Sequence, residues 1–153
     1  MPRKVRHAQL QRAERRYGLR TRDYAQLAAF RFALRRFLRF SEHAAAQTGL
    51  TGQHYQTMLV LRACPAGKRL SINELAAQLL IKHNSAVGLV DRLVAERLVA
   101  RRPSTTDRRK VELSLTARGH ALLAKLAAAH RHELQQVGPV LTRFFGRRQA
   151  AGE

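Results

Sequence analysis

Three features of this sequence predict a mainly α fold with a small β-hairpin wing. Apolar residues recur at helical spacing from about residue 21 onward, and two short helical segments follow one another between residues 71 and 97. The apolar period then drops to two between residues 98 and 115. At 153 residues the chain suits one domain, long enough to bury a core.

Residues 1–20 form a basic extension, with Arg3, Lys4, Arg6, Arg12, Arg15, Arg16 and Arg20 against Glu14 alone. It is either a solvated tail or first helix, or an arm that touches a polyanion. From residue 21 to 48, Leu27, Phe30, Leu34, Phe37, Leu38, Ser41, Ala44, Ala45 and Thr48 share one helical face. Phe32 and Phe40, with Ala29 and Ala33, fall on roughly the opposite side. A helix with two apolar faces needs a second burial partner, and in so small a chain another subunit is the economical choice. Gly49 suits the left-handed residue that closes such a helix. The next helix starts at Thr51 as N-cap, with Leu50 and Tyr55 in the positions of a hydrophobic staple. It runs through Met58, Leu59 and Leu61 until Cys64-Pro65-Ala66-Gly67 breaks it.

The clearest start signal is Leu70-Ser71-Ile72-Asn73-Glu74-Leu75, where Ser71 is the N-cap, Glu74 its capping-box partner, and Leu70 with Leu75 the staple. This short helix ends near Leu80-Ile81. Another then carries Ala86, Val90, Leu93 and Arg97 along one line, with Leu89 beside it. Leu98-Val99-Ala100 opens a hairpin over residues 98–115, in which Val111, Leu113 and Leu115 alternate with Lys110, Glu112 and Ser114. Thr116 caps a long helix bearing Leu122, Leu123, Leu126, Leu134 and Val137. Gly138-Pro139 is expected to interrupt it before a short apolar end at Val140, Leu141, Phe144 and Phe145.

Two short helices, a tight turn and an immediate hairpin make a winged helix-turn-helix. The expected organisation is a basic extension (1–20), an N-terminal dimerisation helix (21–48) and a winged helix-turn-helix (49–116). C-terminal dimerisation helices (117–146) and a tail (147–153) complete it.

The charge balance, 29 Lys and Arg against 10 Asp and Glu, gives a net +19 and a pI near 11.8. That favours nucleic acid or an anionic membrane surface as a partner. Richness in Arg and Ala also follows from biased genome composition, so where the charge sits is more telling than its sum. No apolar run approaches the roughly 18–20 residues of a membrane span, and MPRKVRHAQLQRAERRYG lacks the apolar segment of a secretory signal. A single cysteine, Cys64, forms no internal disulfide, so a cytoplasmic setting and no membrane partner are expected. Gly67-Lys68 lacks the upstream Gly and following Ser/Thr of a phosphate loop, and GxSxG and HExxH are absent. His130 and His132, two apart on a helix, point to different sides and make a poor metal pair. No enzymatic activity, metal or cofactor is expected.

The second helix of a helix-turn-helix is narrow enough to enter the DNA major groove. With Ala86, Val90 and Leu93 turned to the core, residues 83–97 present Asn84, Ser85, Gly88, Asp91 and Arg92 outward, with Val87 at the border and Lys82-His83 at the N-terminal end. Asn can pair bidentately with adenine, and Val can meet a thymine methyl. Gly88 in an exposed helix interior costs about 1 kcal/mol against Ala, which suggests that DNA comes close there. The wing holds Arg101, Arg102, Arg108, Arg109 and Lys110 against Asp107, with Ser104 among them. Five cations on one hairpin repel one another unless a polyanion lies nearby. The DNA-binding set expected is therefore Lys82, His83, Asn84, Ser85, Val87, Gly88, Arg92, Arg102, Ser104, Asp107, Arg108, Arg109 and Lys110. The dimerisation set is Phe32, Phe40, Val140, Leu141, Phe144 and Phe145.

The run from Leu70 to Gly119 resembles the winged-helix core of the MarR family of bacterial transcriptional regulators. The resemblance rests on LVDRL in the recognition helix, DRR in the wing, and Leu115-Thr116-Ala117-Arg118-Gly119 opening the next helix. It extends over roughly residues 21–145. It implies a homodimer on double-stranded DNA, held through N- and C-terminal helices, with Arg109 in the minor groove and Asp107 bracing it. It also implies base reading by the outward face of residues 83–88. Lys82-His83-Asn84 departs from the family's commoner Ser/Thr-rich start, which leaves the operator open. The peroxide-sensing branch carries its Cys near the N-terminus, where this chain has none, so a structural or incidental role is expected for Cys64. The expected function is a sequence-specific repressor on a palindromic operator, responsive to a small ligand bound between the dimerisation helices and the winged helix. The rival is a basic architectural or RNA-associated protein without sequence choice. Unlike residues on the recognition face favour the former.

Overall fold

The computed structural model describes residues 12, 14, 16–65, 69–104 and 111–145, with 140, 141 and 143–145 described by backbone alone. After a helical stretch ending at Tyr17, the elements are α1 (Thr21–Ala46), α2 (Gly52–Ala63), β1 (Leu70–Ser71), α3 (Ile72–Leu79), α4 (His83–Ala95), β2 (Val99–Pro103), β3 (Val111–Leu115) and α5 (Ala117–Phe145). The chain divides into two compact units, one of residues Leu38–Glu133 and one of the residues up to Phe37 with those from Leu134.

The unit Leu38–Glu133 is built on a core in which Met58, Leu75, Val90 and Leu93 are wholly buried and Leu98, Val99 and Leu113 nearly so. Its capping signals act as the sequence predicts. Ser71 Oγ accepts from the Glu74 amide at 3.3 Å while the Glu74 carboxylate accepts from the Ser71 amide at 2.8 Å. Thr51 caps α2, and His54 completes that box, its Nδ1 accepting from the Thr51 amide at 3.1 Å. The staple residues Leu50, Tyr55, Leu70 and Leu75 are all buried.

Helix ends hold the surprises. Gly49 closes α1 with φ +76, as expected, and the amides of Gly49 and Leu50 return to Ala46 and Ala45. Leu80 (φ +56) and Arg97 (φ +59) make the same left-handed closure without glycine. Ile81 bonds back to Ala76, and Leu98 to Leu93. This corrects the placing of Arg97 on one helical line with Ala86, Val90 and Leu93: α4 ends at Ala95, and Arg97 is exposed beyond it. The residue after each left-handed position, Leu50, Ile81 or Leu98, is apolar and at least partly buried, and it anchors the closure.

The hairpin is present, but β1 adds a third strand, giving an antiparallel sheet of order β1-β3-β2. Leu113 is paired with Leu70 on one side and Arg101 on the other. The predicted alternation holds only at its centre. Leu113 is buried, while Val111 at the far end of β3 is 43% exposed. Thr116 then joins hairpin to helix, its hydroxyl donating to the Arg97 carbonyl at 2.7 Å and accepting from the Gly119 amide at 3.0 Å. A Cβ at Gly119 would overlap the Leu98 carbonyl oxygen. The Leu-Thr-x-x-Gly signature is thus a cap and a close approach in one motif.

Two expectations about the flanking helices are corrected. In α1 the buried line includes Ala33, Ser41 and Ala45, whereas Leu27, Leu34 and Leu38, assigned to that line, are between 43% and 52% exposed. Apolar residues occupy most of the helix circumference, so their spacing alone left its rotation undetermined. Phe40 is half-buried and meets the ring of His130 edge-on at 5.3 Å within its own chain, whereas Phe32 is 63% exposed. In α5, Gly138-Pro139 does not interrupt the helix, which continues to Phe145. Proline removes one helical donor, and Gly138 lacks the Cβ that would clash with the proline ring. Val140, Leu141, Phe144 and Phe145 therefore lie on this same helix, their side chains outside the described residues. His130 is buried and satisfied, with Nδ1 donating to the Leu126 carbonyl at 2.7 Å and Nε2 accepting from Ser41 Oγ at 2.9 Å, and its ring stacks on Tyr55. Among the described residues no helix is long and apolar enough to cross a membrane.

Candidate nucleic-acid interface

The helix-turn-helix is α3, the turn at Leu80-Ile81-Lys82, and α4. Its inner side is held by Leu75 and Ala76 from α3 and by Ala86, Leu89, Val90 and Leu93 from α4. That burial fixes which side of α4 is free. Asn84, Ser85, Gly88, Asp91 and Arg92 are all exposed and Val87 is half-buried at the edge. Gly88 sits at the centre of this face, and a Cβ built there would find no atom within 4 Å. No packing demand within the described residues accounts for a glycine there.

The N-terminus of α4 differs from those of α2 and α3. Its N-cap, Lys82, makes no side-chain cap hydrogen bond, and the first turn has no acidic residue. The positive end of the helix dipole is thus left open and reinforced by Lys82, the opposite of what stabilises an isolated helix. Such an end, with its backbone N–H groups unfilled, is suited to an anion such as phosphate. His83 is exposed and not idle, since its Nδ1 lies 2.6 Å from Asn73 Oδ1 on α3. Asn73 is a residue that sequence reading missed, because periodicity shows that it is exposed but not what it faces.

Of the two charged pairs here, Arg92–Glu96 has ordinary i, i+4 helical spacing, whereas Asp91–Arg101 joins residues on two different elements. Asp91 bonds Arg101 of β2 at 2.7 Å, so the hairpin is tied to α4. Arg92 pairs with Glu96 at 3.0 Å and remains 54% exposed, free to turn toward a stronger anion. Surface pairs of this kind contribute at most about 1 kcal/mol and yield readily to phosphate. Arg102 is exposed on β2. Ser104 is only 5% exposed, which corrects its assignment to the DNA-facing surface. A small hydroxyl at the end of a strand is cheaply buried once bonded. Asp107, Arg108, Arg109 and Lys110 lie outside the described residues.

His54, at the start of α2, is the titratable group most affected by this neighbourhood. Partial burial lowers its pKa below the ordinary 6.5, the nearby Arg92 guanidinium adds to the lowering, and Glu42 opposes it. The Glu42 carboxylate also accepts from the Gly52 amide at 2.9 Å, so the α1–α2 junction and Arg92 of α4 share one charged cluster.

Residues 48–110 match a family model described as MarR family. Among characterised relatives, the HTH-type transcriptional repressor YetL of Bacillus subtilis strain 168 is 31% identical over 96 residues, which is 63% of this chain and 57% of that repressor. The match thus spans little more than half of the repressor's length. Among solved structures, the transcriptional repressor CouR bound to a 23-mer DNA duplex is 31% identical, with TM-score 0.59 over 80% of this chain and 82% of that one. AbsC, a MarR family transcriptional regulator from Streptomyces coelicolor, shares the fold at TM-score 0.66 with 21% identity, over 78% of this chain and 80% of that one.

Proposed function

This chain belongs to the MarR family, and we propose that it is a sequence-specific, double-stranded-DNA-binding transcriptional repressor that works as a homodimer. The observation that carries the reading is the outward face of α4. Four unlike exposed side chains, Asn84, Ser85, Asp91 and Arg92, surround a glycine that no packing among the described residues requires, next to an uncapped, basic helix N-terminus. A binder of polyanions alone needs only positive charge. Unlike donors and acceptors around a close-approach point are what base reading requires. The repressor relatives, one of them solved on a DNA duplex, support the same reading.

The dimer is supported by α1. Tyr24, Leu27, Leu34 and Leu38 form one exposed apolar line along it, 43% to 52% open. Two such lines buried against each other would remove surface that water otherwise penalises. Phe32 is exposed as well but lies on another side of the helix. In this proposal Arg109 enters the minor groove, Asp107 braces it, and a small effector bound between the dimerisation helices and the winged helix alters DNA affinity.

Selection of bound duplexes from a random pool tests the function. A recovered palindrome is the expected result. An unenriched pool, with binding that only tracks salt, would overturn sequence specificity in favour of a general polyanion binder.

A further inference from the structure

We propose that Asn73 determines which bases His83 can read, by holding its ring in the tautomer whose outward nitrogen accepts a hydrogen bond. The inference rests on α4 being the DNA-reading helix. Asn73 lies in the first turn of α3 and His83 is the first residue of α4, and their side chains meet across the turn with Nδ1 2.6 Å from Oδ1. An amide oxygen only accepts, so the proton between them belongs to Nδ1. In a neutral imidazole the other nitrogen is then a lone-pair acceptor. Nε2 has no hydrogen-bond partner among the described residues, and the side chain is exposed.

An outward acceptor discriminates. Phosphate oxygens repel it, as do guanine, which shows only N7 and O6 acceptors in the major groove, and thymine, which shows O4. The amino groups of cytosine N4 and adenine N6 complement it. His83 is thereby a base reader rather than a phosphate contact. Asn73 acts through His83 as a positioning residue. Without Asn73 the ring can exchange tautomers, and its base preference blurs.

The test compares the parent with Asn73→Leu, which removes the acceptor at similar size, and Asn73→Gln, which keeps a neutral amide acceptor. Asn73 is exposed, so neither change disturbs the core. Random-duplex selection is run for all three at one fixed pH of about 8. Nitrogen-15 spectra of the imidazole report the tautomer directly. The parent is expected to show protonated Nδ1 and to favour adenine or cytosine about fivefold at one position of each half-site, the worth of one hydrogen bond. Asn73→Leu should lose that preference while keeping the rest of the motif, and Asn73→Gln should retain it. A parent ring protonated at Nε2, or a motif unchanged in Asn73→Leu, would overturn the positioning role alone. A parent that enriches no motif would overturn the function reading and this one with it.

Discussion

Gly88→Ala is expected to make the protein more stable and a poorer binder of DNA. Glycine in a helix interior costs about 0.8–1.0 kcal/mol relative to alanine. Gly88 lies mid-helix in α4, and the added Cβ meets no atom within 4 Å, so no clash offsets the gain. For a chain of this size about 1 kcal/mol raises the melting temperature by roughly 2–4 °C. Against DNA the same methyl stands at the centre of the reading face, where it holds the helix out of the groove. A loss of about tenfold corresponds to about 1.4 kcal/mol of displaced contacts. Thermal unfolding by circular dichroism measures the first effect. Fluorescence polarisation on the selected duplex, at fixed salt, measures the second. A variant with a raised melting temperature and parental affinity would refute the idea that DNA closely approaches Gly88.

Gly119→Ala should act in the opposite sense. A Cβ there overlaps the Leu98 carbonyl, so unfolding in urea should show a loss of about 1–3 kcal/mol typical of overpacking. Leu34→Glu with Leu38→Glu, at exposed positions on α1, should leave the fold intact and yield monomers by sedimentation; persistent dimers would place the interface elsewhere. Asp107→Ala should weaken DNA binding although it makes the wing more positive, because it removes the brace proposed for Arg109; tighter binding in a filter assay would reduce the wing to a basic patch. Stability should fall as pH drops below about 6.5. The folded pKa of His54 is lowered, so the unfolded chain takes up the proton first, and protonation also removes the Nδ1 acceptor that caps α2. The contribution is complete above that pH, and His54→Gln should flatten the profile of melting temperature against pH between about 5 and 7.

Much of the architecture was determined by the sequence alone, because it rests on interactions between near neighbours. Ser71 with Glu74 and Thr51 with the amide three residues on are local hydrogen bonds, so the starts of α2 and α3 are legible residue by residue. The inward line Ala86, Val90 and Leu93 is likewise set by helical period, and with it the outward face of α4. What the tertiary structure decided depends on residues far apart or on a choice that local pattern leaves degenerate. Leu80 and Arg97 adopt left-handed closures that their types disfavour, because Ile81 and Leu98 are drawn inward against the core and hold the chain there. β1 exists because Leu70 meets Leu113, forty-three positions on. The pairing of Asp91 with Arg101 and of His83 with Asn73 follows from how the hairpin and the two short helices pack. The rotation of α1 was open for the same reason. Apolar side chains surround it, and only tertiary packing could choose which of them to bury and which to leave exposed.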